Sequence, residues 1–72
     1  MDEKTIIEWL EDAMDLDEGT ISNDTVLEEL EEWDSLSRLS LMAIVKKKVN
    51  RMLTGNDLSS FVTVQDVIDF LR

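Results

Sequence analysis

Hydrophobic residues recur at helical spacing in three stretches of this chain. In the first, Ile6, Ile7, Leu10, Ala13 and Met14 repeat every three or four residues, and acidic residues fill most of the opposite face. The pattern predicts an amphipathic helix over residues 2–15, capped by Asp2 or by Thr5, the latter with Glu8 as a capping box. The second stretch runs from Ser35 to about Arg51. Leu39, Met42, Val45, Val49 and Leu53 give it one apolar stripe, broadened by Leu36, Leu41 and Ile44. Asp34 stands where an N-cap belongs, and Lys46, Lys47 and Lys48 gather in the last turns, where cations suit the helix dipole. Gly55 and Asn56 are read as ending this segment. The third stretch is a helix over residues 64–71, with Thr63 as cap and Val64, Val67, Ile68 and Leu71 inward.

Residues 16–34 break the helical period at Gly19, Asn23 and Asp24. They read as one long connection that Ile21, Leu27 and Leu30 pin to the core, and a loop of this length is usually functional or self-supporting. Residues 57–61, Asp-Leu-Ser-Ser-Phe, have room for one short turn of helix. No stretch alternates with the two-residue period of a strand. The expected fold is all-α: a small four-helix bundle of three main helices plus one short one, forming a single domain over residues 1–72.

Composition removes whole classes of chemistry. The chain has no Cys and no His. Disulfides are therefore excluded, as are the usual zinc sites, and the commonest general base is missing. No catalytic residue and no metal ligand is assigned. Residues 15–19, Asp-Leu-Asp-Glu-Gly, faintly suggest a calcium loop, but Gly19 falls on a ligand position and no Glu closes the span. No signal-peptide pattern opens the chain, and no apolar run approaches the ~20 residues of a membrane span. A soluble cytoplasmic protein is expected.

The formal charge is −10, unevenly distributed. Residues 1–34 hold fourteen acids against Lys4 alone, whereas residues 35–52 hold Arg38, Lys46, Lys47, Lys48 and Arg51 with no acid. Such an acidic chain disfavours nucleic acid and anionic membranes. It suits docking onto basic protein surfaces, or serves solubility alone.

One polar side chain stands out by its position. Ser35 opens the longest helix directly after the longest loop, and so belongs at an exposed corner. Unpaired N–H groups and the positive end of a helix dipole tolerate a phosphate on a hydroxyl there. Asp34 is a like charge beside it, which asks for a second role. As a bare tripeptide Asp34-Ser35-Leu36 carries little weight: a first-turn serine after a cap has the same spelling.

The wider pattern Leu30-Glu31-Glu32-Trp33-Asp34-Ser35-Leu36 resembles the attachment motif of acyl carrier proteins in its Trp-Asp-Ser-Leu form. Ile21-Ser22-Asn23-Asp24 is similar to a loop segment of that family, and residues 61–71 to its closing helix. The likeness runs from about Ile6 to Leu71. It implies a bundle of acyl-carrier type, with 4′-phosphopantetheine moved from coenzyme A onto Ser35 by a phosphopantetheinyl transferase and Asp34 assisting the priming. The thiol of that arm would hold acyl groups as thioesters, which suits a chain without a Cys of its own. The chain would be no enzyme but a monomeric shuttle, presenting cargo to acyl-loading and acyl-transfer or synthase enzymes. Leu36 matches an apolar partner contact of the family; Arg38 and Leu41 are further partner-contact candidates. Sequestering an acyl chain is worth ~0.8 kcal/mol per CH₂. Leu39, Met42, Val45, Leu53, Leu58, Phe61 and Val67 are the candidate lining residues, or simply core, and Met42 and Met52 would make such an interior adaptable.

Two features depart from the family pattern. Many relatives carry acids along the second helix, where this chain has Arg38 and the three lysines. Either the lysines complement the helix end and pair with the acidic loop, or they form a different docking code. The second reading implies a dedicated carrier of a specialised lipid or polyketide-like pathway rather than of housekeeping fatty acid synthesis. Trp33 replaces a small residue, and either packs under the loop or contacts the transferase. Two alternatives stay open: an aminoacyl or peptidyl carrier, and an acidic helical interaction module with Ser35 unmodified.

Overall fold

Local side-chain caps start every α-helix among the described residues. In the computed structural model, which describes residues 2–72, the helices are α1 (Glu3–Ala13), α2 (Ser35–Val49), α3 (Gly55–Ser60) and α4 (Val64–Leu71). Asp2 caps α1 by accepting the Thr5 N–H at 2.9 Å, so Thr5 lies inside the first turn and is not the cap. Asp34, Thr54 and Thr63 cap α2, α3 and α4, each in a reciprocal box with the residue three further on: Ser37, Asp57 and Asp66. Among the described residues there is no strand, only an isolated bridge between Val26 and Thr63. The fold is a small all-α bundle, and no described helix is long and apolar enough to cross a membrane.

Helix α1 packs against both α2 and α4. Its Ile6, Trp9 and Leu10, with Met14 just beyond its end, meet Leu41 and Val45 of α2 and Val64, Val67, Ile68 and Leu71 of α4 in one buried cluster. Each such side chain contributes roughly 1.5–3 kcal/mol when fully buried. Arg51 closes the far end of α4, its guanidinium donating to the Phe70 carbonyl at 3.0 Å and lying 5.1 Å from that ring.

Helix α2 differs from the sequence expectation in two ways. Its inward face is Ser37, Leu41 and Val45, with Arg38, Met42, Ile44 and Val49 half-buried; Leu36 and Leu39 point outward. Apolar residues surround this helix on almost every side, so periodicity alone does not choose a face. Docking against α1 chooses it. The helix also ends earlier than expected, at Val49, because Asn50 adopts the left-handed conformation (φ 57°, ψ 34°) that asparagine tolerates. Gly55 and Asn56 terminate nothing; they form the first turn of α3 behind the Thr54 cap.

The long connection is held at both ends. Helix α1 closes with Asp15 in the left-handed region, the Leu16 N–H donating to the Glu11 carbonyl at 2.8 Å and the Asp15 N–H to the Asp12 carbonyl at 3.2 Å. The Glu11 side chain, 2% exposed, then accepts the N–H groups of Thr20 (2.9 Å) and Ile21 (3.3 Å). Further on, the connection docks on the start of α4. Thr25 and Asn23 carbonyls accept the first free N–H groups of that helix, Val64 at 3.0 Å and Gln65 at 2.8 Å, while the Leu27 N–H donates to Val62 at 2.8 Å. Ile21 and Leu27 are buried and Leu30 half-buried, as the apolar spacing predicts, and a 3₁₀ turn over Leu27–Glu29 leads the chain to α2.

Removing the Glu11 acceptor should therefore loosen the loop. Glu11→Ala is expected to lower unfolding free energy by about 1.5–3 kcal/mol, the range for hydrogen bonds to a charged group, and Glu11→Gln by less. Asp15→Gly should act oppositely, raising it by up to about 1 kcal/mol through relief of the left-handed backbone. Urea denaturation of the three variants checks both signs.

Candidate functional site at the head of helix α2

The corner where the long connection enters α2 is built by hydrogen bonds among three consecutive turns. The Leu30 N–H donates to Leu27 at 3.0 Å and the Trp33 N–H to Leu30 at 3.1 Å, which turns the chain inward at Trp33 and out again at Asp34. Trp33 is buried, 6% exposed, so its indole packs beneath the corner. Asp34 Oδ1 accepts the Ser37 N–H at 2.9 Å, and the Asp34 N–H donates back to Ser37 Oγ at 2.9 Å. Ser37 itself is buried. This box anchors the helix start from below and leaves Ser35, the first helical residue, exposed on top.

The electrostatics of the corner follow from the same bonds. The Ser37 backbone N–H holds the Asp34 carboxyl below its ordinary value of 3.8, and the Ser37 hydroxyl adds to the effect. Glu28, Glu29, Glu31 and Glu32 are exposed just ahead of it. Against this negative run stands Arg38, half-buried, with its Cζ 5.6 Å from the centroid of the Trp33 ring.

Two grooves flank the first turns of α2. One, of about 300 Å³, is lined by Ser35, Arg38, Leu39 and Met42 of α2 and by Gly55, Leu58 and Ser59 of α3. The other, of about 450 Å³, has Asp12, Asp15, Glu32, Asp34 and Leu36 on its walls. Ser35 thus borders the first channel, whose walls are mainly apolar, while the second, which it does not line, sets four acidic side chains among Ala13, Met14, Leu36 and two serines.

Each residue singled out from sequence can now be located. Asp34 and Ser35 form the corner, and Leu36, 74% exposed, stands beside them. Arg38 is turned toward Trp33. Leu41 is 0% exposed, which corrects its assignment as a partner contact: it belongs to the core, on the face α2 turns to α1. Among the candidate lining residues, Leu39, Met42 and Leu58 border the groove, Leu39 while 61% exposed. Val45, Leu53, Phe61 and Val67 are packed in the core and border neither groove. The three lysines are exposed and take part in no ion pair among the described residues, where Arg72 pairs with Glu3 at 3.7 Å. The expected pairing with the acidic loop is therefore not made, and the helix dipole is what they complement.

Two features of the corner escaped the sequence reading. Ser37 was legible as the N3 partner of an Asp cap, although the box there usually holds Glu or Gln. The contact of Arg38 with Trp33 had a weaker signal: long side chains on a helix lean toward its N-terminus, which aims Arg38 back at the residues before Ser35. Searches of protein-family profiles, curated proteins and solved structures found no match for the chain.

The capping carboxylates make a pH prediction. Asp66 is held below its ordinary value by the backbone N–H groups of Thr63 and Val62, and Asp2 by the hydroxyl and N–H of Thr5. An acid whose folded pKa is depressed binds fewer protons folded than unfolded. Its contribution is complete above about 3.8 and disappears as pH falls through the lower folded value. The urea midpoint should hold down to about pH 5 and then drop, more shallowly in Asp34→Asn, which keeps an acceptor but cannot titrate. Parallel curves for wild type and variant would remove Asp34 from this account.

Proposed function

We propose that the protein is a carrier of the acyl-carrier kind, modified with 4′-phosphopantetheine on Ser35 and free of turnover of its own. The observation that carries this reading is the state of Ser35: an exposed hydroxyl on the first residue of the longest helix, braced from below by the Asp34–Ser37 box, at the edge of a groove. The box is helix capping of the kind that also starts α3 and α4; what favours a carrier is the outward hydroxyl beside an open groove.

The residues present fit the proposed arm. Ser35 offers the nucleophilic oxygen, Leu39, Met42 and Leu58 offer apolar surface beside it, and the buried Nε of Arg38 has no hydrogen-bond partner. In priming, Ser35 Oγ attacks the pantetheine-side phosphorus of coenzyme A. The new P–O bond forms as the pyrophosphate bond breaks, adenosine 3′,5′-bisphosphate leaves, and the hydroxyl proton passes to a base of the phosphopantetheinyl transferase. Asp34, which precedes Ser35 and whose carboxyl is held below its ordinary value, would offer its carboxylate to a cation carried by such a transferase. When bound, the arm supplies the thiol that the chain lacks, and acyl groups ride on it as thioesters.

Partner enzymes that load and remove the cargo meet Leu36 and Leu39, the large apolar side chains exposed around the serine. The cationic end of α2, free of acids from residue 35 to 52, favours partners other than those built for an acidic helix, and hence a dedicated pathway.

Incubation with a broad-specificity phosphopantetheinyl transferase and coenzyme A, followed by intact mass, tests the reading. Wild type should gain one phosphopantetheine, and Ser35→Ala none, with unchanged helicity by circular dichroism. A folded wild type that keeps its mass, while a control carrier in the same tube is modified, would reject it.

A further inference from the structure

The Ser35 corner contains a cation whose position the priming chemistry does not use. We infer that Arg38 is a positioning residue that holds the phosphodiester at the root of the arm, with Trp33 as its platform; this rests on the carrier reading of Ser35.

Three independent observations converge on Arg38. The first is an unmade bond. Arg38 Nε is buried and has no hydrogen-bond partner, and no ion pair among the described residues involves its guanidinium. Buried polar groups are nearly always satisfied, so this orphan is a bond that the side chain gains by a small turn bringing Nε–H out to the groove beside Ser35.

The second is direction. Arg38 follows Ser35 by three residues, so the two are neighbours on the helix surface. Its Cζ lies 5.6 Å from the centroid of Trp33, a residue that precedes Ser35, so the side chain runs back toward the head of α2. Its place over the face of a buried indole restricts the guanidinium before any ligand arrives. Ser35 and Arg38 also border the same groove.

The third is charge. The proposed group adds a permanent negative charge to a corner that already carries Glu28, Glu29, Glu31, Glu32 and Asp34. Between Lys4 and Lys46 the chain has a single cation, Arg38. A guanidinium presents several N–H donors in a planar fork that matches phosphate oxygens, a geometry lysine lacks.

The consequence is directional. A phosphate held on the Arg38 side of Ser35 starts the arm along the groove of Leu39, Met42 and Leu58, away from the acidic wall of Asp12, Asp15 and Glu32. An unclamped phosphate would be repelled by the acids and leave the arm to sample solvent.

The test compares apo and holo forms of wild type, Arg38→Gln and Arg38→Lys, prepared with the same transferase and verified by mass. On modification of wild type, the NMR signal of the Arg38 Nε–H should shift. The ³¹P resonance of the holo protein should differ between wild type and Arg38→Gln. The holo form should melt above the apo form, by a margin that shrinks in about 1 M salt, vanishes in Arg38→Gln and is partly kept in Arg38→Lys. A purely structural Arg38 would alter apo and holo alike and leave both NMR signals insensitive to the arm. An unmoved Nε–H, identical ³¹P signals and equal melting margins overturn the clamp while leaving the carrier intact. Failure of wild type to gain mass overturns both, and is told apart by the mass spectrum alone. Should Arg38→Gln not fold, the wild-type Nε–H signal and Arg38→Lys still decide.

Discussion

The structure depends on the anchoring of the twenty-one-residue connection between α1 and α2. Left free, a polar segment of that length would sample many conformations, and whatever it delivered to α2 would have no defined place. Glu11 secures its near end, its buried carboxylate accepting the backbone N–H groups of Thr20 and Ile21. The start of α4 secures its middle, because the N–H groups that a helix cannot satisfy internally are taken by the carbonyls of Asn23 and Thr25. One set of bonds thus solves two problems, capping a helix and fixing a loop. Trp33, Asp34 and Ser35 inherit their positions from it.

The corner so delivered combines features that oppose one another. Acidic residues crowd the approach to α2, yet the helix N-terminus and Arg38 are the places where negative charge is best tolerated. The Asp34–Ser37 box spends the cap on a buried serine and so leaves the neighbouring hydroxyl of Ser35 outward. Farther along the helix, Leu39 and Met42 border the groove and the lysines stand unpaired in solvent. From first turn to last, the outer face of α2 passes from hydroxyl to apolar to cationic. A partner meeting it would need a matching sequence of surfaces, which is how a small helix encodes specificity.

Much of the fold was legible because the responsible interactions are local. The caps at Asp34 and Thr63 sit one residue ahead of their helices and bond within a single turn. The inward residues of α4, Val64, Val67, Ile68 and Leu71, follow the helical period on one face and are all buried. Ser35 was found the same way, from its place between a long polar segment and the longest helix. The buried face of α2 could not be read so. With Leu36, Leu39, Leu41, Met42, Ile44 and Val45 surrounding the axis, several stripes are equally apolar, and Leu39 was assigned inward while Leu41 was assigned to the surface.

Sequence by itself determined the number of helices, where α2 and α4 begin, the all-α class and the exposed serine, since these follow from caps and periods that act over three or four residues; the Thr54 cap that starts α3 at Gly55 was not read. Tertiary structure alone decided which side of α2 meets α1, that Glu11 is a buried loop anchor, and that Arg38 lies on Trp33 with its Nε unpartnered. Those outcomes depend on contacts between segments far apart in the chain or on the rotamer of one long side chain, and neither leaves a period that composition or spacing can reveal.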